Sequence, residues 1–134
     1  MMKLEAYRRM FAAAELDTGV VVSWTDTILP AIMGRRIITH EVQFEGLGFL
    51  FFNKVVEPDT HNHIWIERML WVSPESRSCG IAKQLVARWE EDARLEGVHS
   101  LSAGSSLGYA ATPKVYADRN FTTTQSFRKV LTYV

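Results

Sequence analysis

The sequence predicts an α/β fold in a single domain, and three observations carry that expectation. The run "IWIERMLWV", residues 64–72, is apolar on both alternating faces except at Glu67 and Arg68, as in a strand covered on both sides. Across a short polar turn, Ile81, Leu85, Trp89 and Ala93 step by four, the mark of an amphipathic helix. Upstream, "RRIITHEVQF" and "GFLFFNKVV" are β-branched and aromatic runs that read as an antiparallel hairpin. With 134 residues and 47% hydrophobic content, the chain can bury one core of its own, so residues 1–134 are expected to form one domain.

In chain order, Leu4, Tyr7, Met10, Phe11 and Ala14 recur at three- and four-residue steps, which predicts a helix with one buried face, ended by Asp17, Thr18 and Gly19. In "SWTDTILPAIMG", Ser23 or Asp26 can cap a short helix, while Pro30 excludes a long regular one. The two hairpin runs meet at "EGLG", where glycine eases a turn, and "EPDTHNH" is the next loop. The strand at 64–72 is expected at the centre of the sheet. The helix after it runs to about Glu96 and closes at Gly97, with Ala82 and Val86 beside its apolar row and Glu90, Glu91, Asp92 and Arg94 facing outward. "VHSLSA" reads as a strand and "GSSLGYAA" as a loop. Thr112 and Pro113 supply a cap and a first-turn proline for a short helix through Asp118. Two last runs, 121–124 and 127–134, form a terminal strand pair, apolar enough to serve a homodimer.

Fifteen basic residues balance fifteen acidic ones, so the bulk charge points to no nucleic acid, anionic membrane or strongly acidic substrate. Any anion site is therefore local. Cys79, the single cysteine, excludes an internal disulfide framework and fits a reducing compartment. "MMKLEAYRRM" lacks the apolar run of a signal peptide, and the longest apolar cluster, "LGFLFF", is far short of the roughly 20 residues that span a bilayer. A cytoplasmic protein is the expectation.

The turn between the apolar strand and its helix, "VSPESRSCGIA", has the physics of a phosphate cradle. The first N–H groups of a helix are unpaired and sit at the positive end of its dipole. Gly80 lets the backbone approach an anion closely, Ala82 is too small to block it, and Arg77 and Lys83 add positive charge. A bland alternative stands beside this, because strand–turn–helix units with a glycine are common.

The same stretch resembles the acyl-CoA loop of the GCN5-related N-acetyltransferase (GNAT) superfamily, Arg/Gln-x-x-Gly-x-Gly/Ala, through Arg77, Gly80 and Ala82, preceded by a Val-x-Pro strand end at Val72 and Pro74. "VYADRNF" is similar to that family's Tyr-x-x-x-Gly-Phe segment, with Tyr116 and Phe121 matching. The chain departs from the pattern at Ser78 and Asn120, where glycines are usual, and at Tyr109, where many members have asparagine. It also opens directly into a helix where the family has a first strand. The resemblance, running from Arg35 to the C-terminus, implies a mixed, mostly antiparallel central sheet flanked by helices.

It also implies acetyl-CoA as co-substrate and direct transfer of its acetyl group to an acceptor amine that the sequence does not name. The pyrophosphate would lie on backbone N–H groups from Arg77, Ser78, Cys79, Gly80, Ile81 and Ala82, and the strand edge near Leu70 and Val72 would pair with the pantetheine arm. Lys83 and Lys114 are the nearest candidates for the adenosine's extra phosphate. The attacking amine must be neutral, so a base is useful. Glu67 leads, because burial beside Trp65, Met69 and Trp71 would raise its pKa. It sits one position off the register in which many members place their strand glutamate, and pairing with Arg68 is the structural alternative. Glu41, Glu45 and His40 are weaker choices. The resemblance assigns Tyr116 as the acid that protonates the leaving thiolate.

Other features read as structural. His61 and His63 in "HNH" near Asp59 are read as a solvated turn and not a metal site. Cys79 has no histidine near it in sequence to make a nucleophile. Arg8, Arg9, Arg35 and Arg36 are solvated charge, and Trp24, Trp65 and Trp71 are core or cleft wall. The rival to an enzyme is a binding or structural protein that keeps the fold without turnover.

Overall fold

Helix α1, Leu4–Thr18, buries Ala6, Tyr7, Met10, Phe11 and Ala14 along the expected stripe, though Leu4 at its first turn is half exposed. It ends where Gly19, at φ 75°, turns left-handed and returns its N–H to Glu15 O at 2.8 Å. The computed structural model describes residues 2–42, 45–103, 112–123 and 127–133. After α1 the chain makes a π-helical turn, Trp24–Ile28, whose start is capped by Ser23 accepting from the Asp26 N–H. Helix α2, Leu29–Met33, follows with Pro30 in its first turn, where a missing N–H costs nothing.

Six strands form one sheet in the order β1-β2-β3-β4-β6-β5. Strands β1 (Ile37–Val42), β2 (Glu45–Val56) and β3 (His63–Val72) are a consecutive antiparallel meander. Helix α3 (Ile81–Leu95) crosses over to β4 (Ser100–Ala103), which lies parallel to β3. Helix α4 (Thr112–Asp118) leads to β5 (Thr122–Thr123) and β6 (Phe127–Val130), with β6 inserted antiparallel between β4 and β5. The sheet is mixed and mostly antiparallel, with β3 inside it, as expected.

Each face of the sheet carries its own core. On one side, Trp65, Leu70 and Val72 of β3 pack with Leu85, Val86 and Trp89 of α3. On the other, Phe49, Phe51, Met69 and Trp71 meet Tyr7, Met10 and Phe11 of α1. Phe11 lies 4.3 Å from Phe49, ring centre to ring centre.

Three expectations are corrected. "EGLG" is strand and not turn, since β2 already begins at Glu45. Its glycines serve close packing: a Cβ on Gly48 would meet Trp71 O at 2.7 Å, and one on Gly46 would strike Met10 Sδ. Glu90 does not face outward but is 5% exposed, because the helical period lines it up with Ala82 and Val86. There it binds Arg94, Arg119 and Lys129. Burial raises its pKa, but the bonds and charges of Lys129 and Arg119 outweigh that and hold the carboxyl below its ordinary range. Finally, the last strand stops at Val130; β6 pairs with β4 over its length and with β5 at Phe127 and Arg128.

Candidate functional site

The site is organised by an extra residue in β3. Phe51 pairs with Met69 and Phe52 with Glu67, so Arg68 has no opposite number on β2 and the strand bulges there. Below the bulge Trp65 and Glu67 face α3; above it Leu70 and Val72 do, while Met69 and Trp71 face α1. The expectation that Glu67 lies beside Met69 and Trp71 is thus corrected, since the bulge turns those two to the opposite side. Arg68, exposed, likewise makes no salt bridge with Glu67 and touches it only through its field.

Glu67 is fully buried and accepts a hydrogen bond at 3.0 Å from the hydroxyl of Tyr116 on α4, also fully buried. Forty-nine residues separate them in sequence. Burial pushes the Glu67 carboxyl up to about 7, against the opposing pull of the Tyr116 hydroxyl and the Arg68 charge. Tyr116 is fixed edge-on against Phe121, 5.1 Å between ring centres, and Asn120 takes φ 65° just before it, the left-handed conformation a glycine would adopt freely.

Above this pair the sheet opens. Among the described residues β4 pairs with β3 only along residues 64–66, so β3 from Arg68 upward has no strand on that side. Ser73 donates its N–H to Leu47 O, which makes Val72 and Gly48 a non-hydrogen-bonded pair; the N–H and C=O of Val72, and by alternation those of Leu70, therefore point to the open edge. Leu70 and Val72 thus offer backbone groups there, while their side chains are core.

At the mouth of the gap lies a cleft of about 610 Å³, lined by Val72, Arg77, Ser78, Gly80, Ile81 and Ala82 together with Lys83 and Lys114. A 3-10 turn, Pro74–Ser76, carries the chain off the strand; Ser78 and Gly80 then adopt φ 71° and 78°. Gly80 caps α3 with no side chain, so the first N–H groups of the helix open into the cleft. A Cβ on Gly80 would meet nothing within 4 Å. Cys79 is exposed beside the cleft.

The Arg77 side chain is engaged by the protein's own groups. Its guanidinium donates to Val72 O at 3.1 Å and to Asp17 Oδ2 at 2.5 Å, and Asp17 also accepts from Trp71 Nε1 at 2.9 Å. These two bonds hold the Asp17 carboxyl below its ordinary range. Arg77 therefore clamps the turn to the end of α1, and the positive charge left on the cleft wall is Lys83, bridged to Asp118 at 3.3 Å, and exposed Lys114. Nothing in sequence signals Asp17, sixty residues away.

The weaker base candidates lie elsewhere. Glu41 holds Met2 N and the Thr39 hydroxyl, and His40 meets Gln84 at 3.0 Å. The side chain of Glu45, and Tyr109, lie outside the described residues. His61 occupies a turn at φ 58°, and among the described residues no group of three or more His, Cys, Asp or Glu could hold a metal. No helix among them is long and apolar enough to cross a membrane.

Fold and cleft define the class: an α/β protein of the acetyltransferase type, its sheet parted beside an uncapped helix N-terminus. The chain matches the acetyltransferase (GNAT) family over residues 10–121 and belongs to that family. Solved structures share the fold at low identity. The yncA protein of Salmonella typhimurium, solved with its cofactor acetyl-CoA, superposes with TM-score 0.74 at 20% identity, covering 97% of this chain and 89% of that one. The ribosomal-protein-alanine N-acetyltransferase of Brucella melitensis gives 0.65 at 19%, covering 84% and 82%. The NatC complex bound to Gag peptide and CoA gives 0.71 at 14%, covering 91% of each chain. No curated protein matches the chain in sequence.

Proposed function

We propose that the protein transfers the acetyl group of acetyl-CoA to an amine by direct attack, without a covalent enzyme intermediate. The observation that carries this reading is convergence: the uncapped start of α3, the open edge of β3 and the buried Glu67–Tyr116 pair follow one another along a single gap in the sheet. The N–H groups from Ser78 to Ala82 take the pyrophosphate, and the main-chain groups of Leu70 and Val72 take the pantetheine amides, which need such partners on leaving water. Acetyl-CoA bound in the related Salmonella fold supports the same donor here.

Glu67 then takes up the proton of the attacking amine, relayed by water, which a carboxyl held near 7 can do at neutral pH. Tyr116 gives its proton to the sulfur as the carbon–sulfur bond breaks. The proton on Glu67 crosses the 3.0 Å hydrogen bond to the tyrosine oxygen, so both groups return to their starting state. The products are an acetylated amine and free thiol.

Calorimetric titration with acetyl-CoA tests the cradle. The wild type is expected to bind at micromolar concentration and the Gly80→Asp variant not at all, because the new carboxylate puts its charge where the phosphates lie and a side chain at φ 78° strains the turn, although its Cβ meets no protein atom within 4 Å. A wild type that does not bind overturns the reading; one that binds but consumes no thioester with any amine leaves a binding protein.

A further inference from the structure

Across β3 from the donor cleft, on the α1 face, lies a second cavity of about 490 Å³ whose lining includes Arg36, Phe51, Asn53, Arg68 and Met69, with Asp26 from the turn before α2. It meets β3 at Arg68 and Met69, a few residues before Val72 where the donor cleft meets the strand, and Arg68 directly follows Glu67. An acyl group lying along the open edge of β3 would be met here from the face opposite α3.

This cavity brings together two arginines that no carboxylate among the described residues holds. Arg77, Arg94 and Arg119 each hold a carboxylate. Among the described residues neither Arg36 nor Arg68 does. Arg36 is oriented by a neutral partner, donating from Nη1 to Asn53 Oδ1 at 2.8 Å, which aims the guanidinium and leaves its charge uncompensated. Arg68 and Met69 share this face in succession because of the bulge, which leaves Arg68 without a partner on β2. Arg36 and Arg68 line the same cavity as apolar Phe51 and Met69 and outnumber Asp26, its one carboxylate among the described residues, a combination suited to an oxyanion, which guanidinium forks bind bidentately.

We propose that this cavity receives the acceptor and that Arg36 and Arg68 select a small amine carrying an oxyanion, a carboxylate or a phosphonate, several bonds from its nitrogen. The inference rests on the acetyltransferase reading above. The anionic end docks on the arginines, and the amine is left to point toward the thioester.

The test is an acceptor panel in which ω-aminocarboxylates and ω-aminoalkylphosphonates are compared with matching neutral carboxamides, whose amines are nearly as basic. Wild type, Arg68→Gln and Arg36→Gln are assayed, with acetyl-CoA titrations on the same samples. The expected result is a tenfold or larger advantage in kcat/KM for the anionic acceptors, expressed in KM, lost in Arg68→Gln and reduced in Arg36→Gln, with acetyl-CoA affinity unchanged. The two anionic series show which oxyanion is preferred. Neutral amines or peptides used equally well, or a preference that survives both substitutions, would overturn the proposal. Should no acceptor turn over, aminocarboxylate binding to the CoA-loaded protein decides: binding that is lost in Arg68→Gln supports the pocket, and no binding overturns it. A wild type that binds no acetyl-CoA brings down the underlying reading, and this inference with it.

Discussion

Replacing Glu67 by glutamine keeps the length of the side chain and removes its proton exchange, which makes the titration of this one buried group measurable. The folded protein holds the carboxyl at about 7 against an ordinary 4.5, chiefly by burial. Below pH 4.5 the group is protonated folded and unfolded alike and contributes no pH dependence. As pH rises from 4.5 to 7 the unfolded chain gives up the proton and the folded one keeps it, so stability falls across that window and levels off above it. The full drop is about 3 kcal/mol. Urea unfolding of both proteins from pH 4.5 to 8 isolates it, because every other group titrates alike in the two. Glu67→Gln should gain on the wild type by about 3 kcal/mol over the series. Parallel curves would refute the burial account. In activity the sign reverses: the wild-type kcat/KM should rise with pH through about 7 as the base ionises, and Glu67→Gln should lose roughly a hundredfold or more.

Tyr116→Phe removes the donor that favours ionised Glu67, so the rate profile should move to higher pH and stability should fall by about 1–2 kcal/mol, read from pH–rate curves and urea unfolding. Asp17→Ala should release Arg77 and Trp71 from α1 and weaken acetyl-CoA binding about tenfold in calorimetry, as misplacing one main-chain donor would, while the pH profile set by Glu67 stays in place. Glu90→Ala leaves Arg94, Arg119 and Lys129 facing a carboxylate that is gone, and should cost about 3 kcal/mol in urea unfolding without shifting the pH–rate curve.

The parts of this molecule that were legible in its sequence are those set by local rules. Gly80 announced the turn into α3 because a chain entering a helix this way needs a residue tolerant of positive φ, and the structure gives Gly80 φ 78°. The stripe of α3 could be counted off residue by residue. The insertion of β6 between β4 and β5 could not, since strand order is decided by partners far apart in the chain. The neighbours of Glu67 on its face were hidden for a related reason: alternation past Glu67 is broken by a bulge that shows only once β2 is laid alongside. Glu90 was misplaced because a carboxylate in a helix reads as solvent-facing until three cations from α3, the turn after α4 and β6 are brought to it. The hold of Asp17 on the Arg77 guanidinium could not be read, because its two ends are sixty residues apart.

The bulge at Arg68 makes the face of every later β3 residue a matter of counting. Deleting Arg68 itself would close the ladder, because Glu67 already faces α3 and Met69 already faces α1, and every later side chain would keep its layer. A residue added in the regular stretch above the bulge, between Leu70 and Trp71, would instead exchange inside for outside from that point on. The strand of a close relative could therefore be one residue shorter at the bulge and still hand the same faces to both helical layers, whereas an equal change beyond it would not.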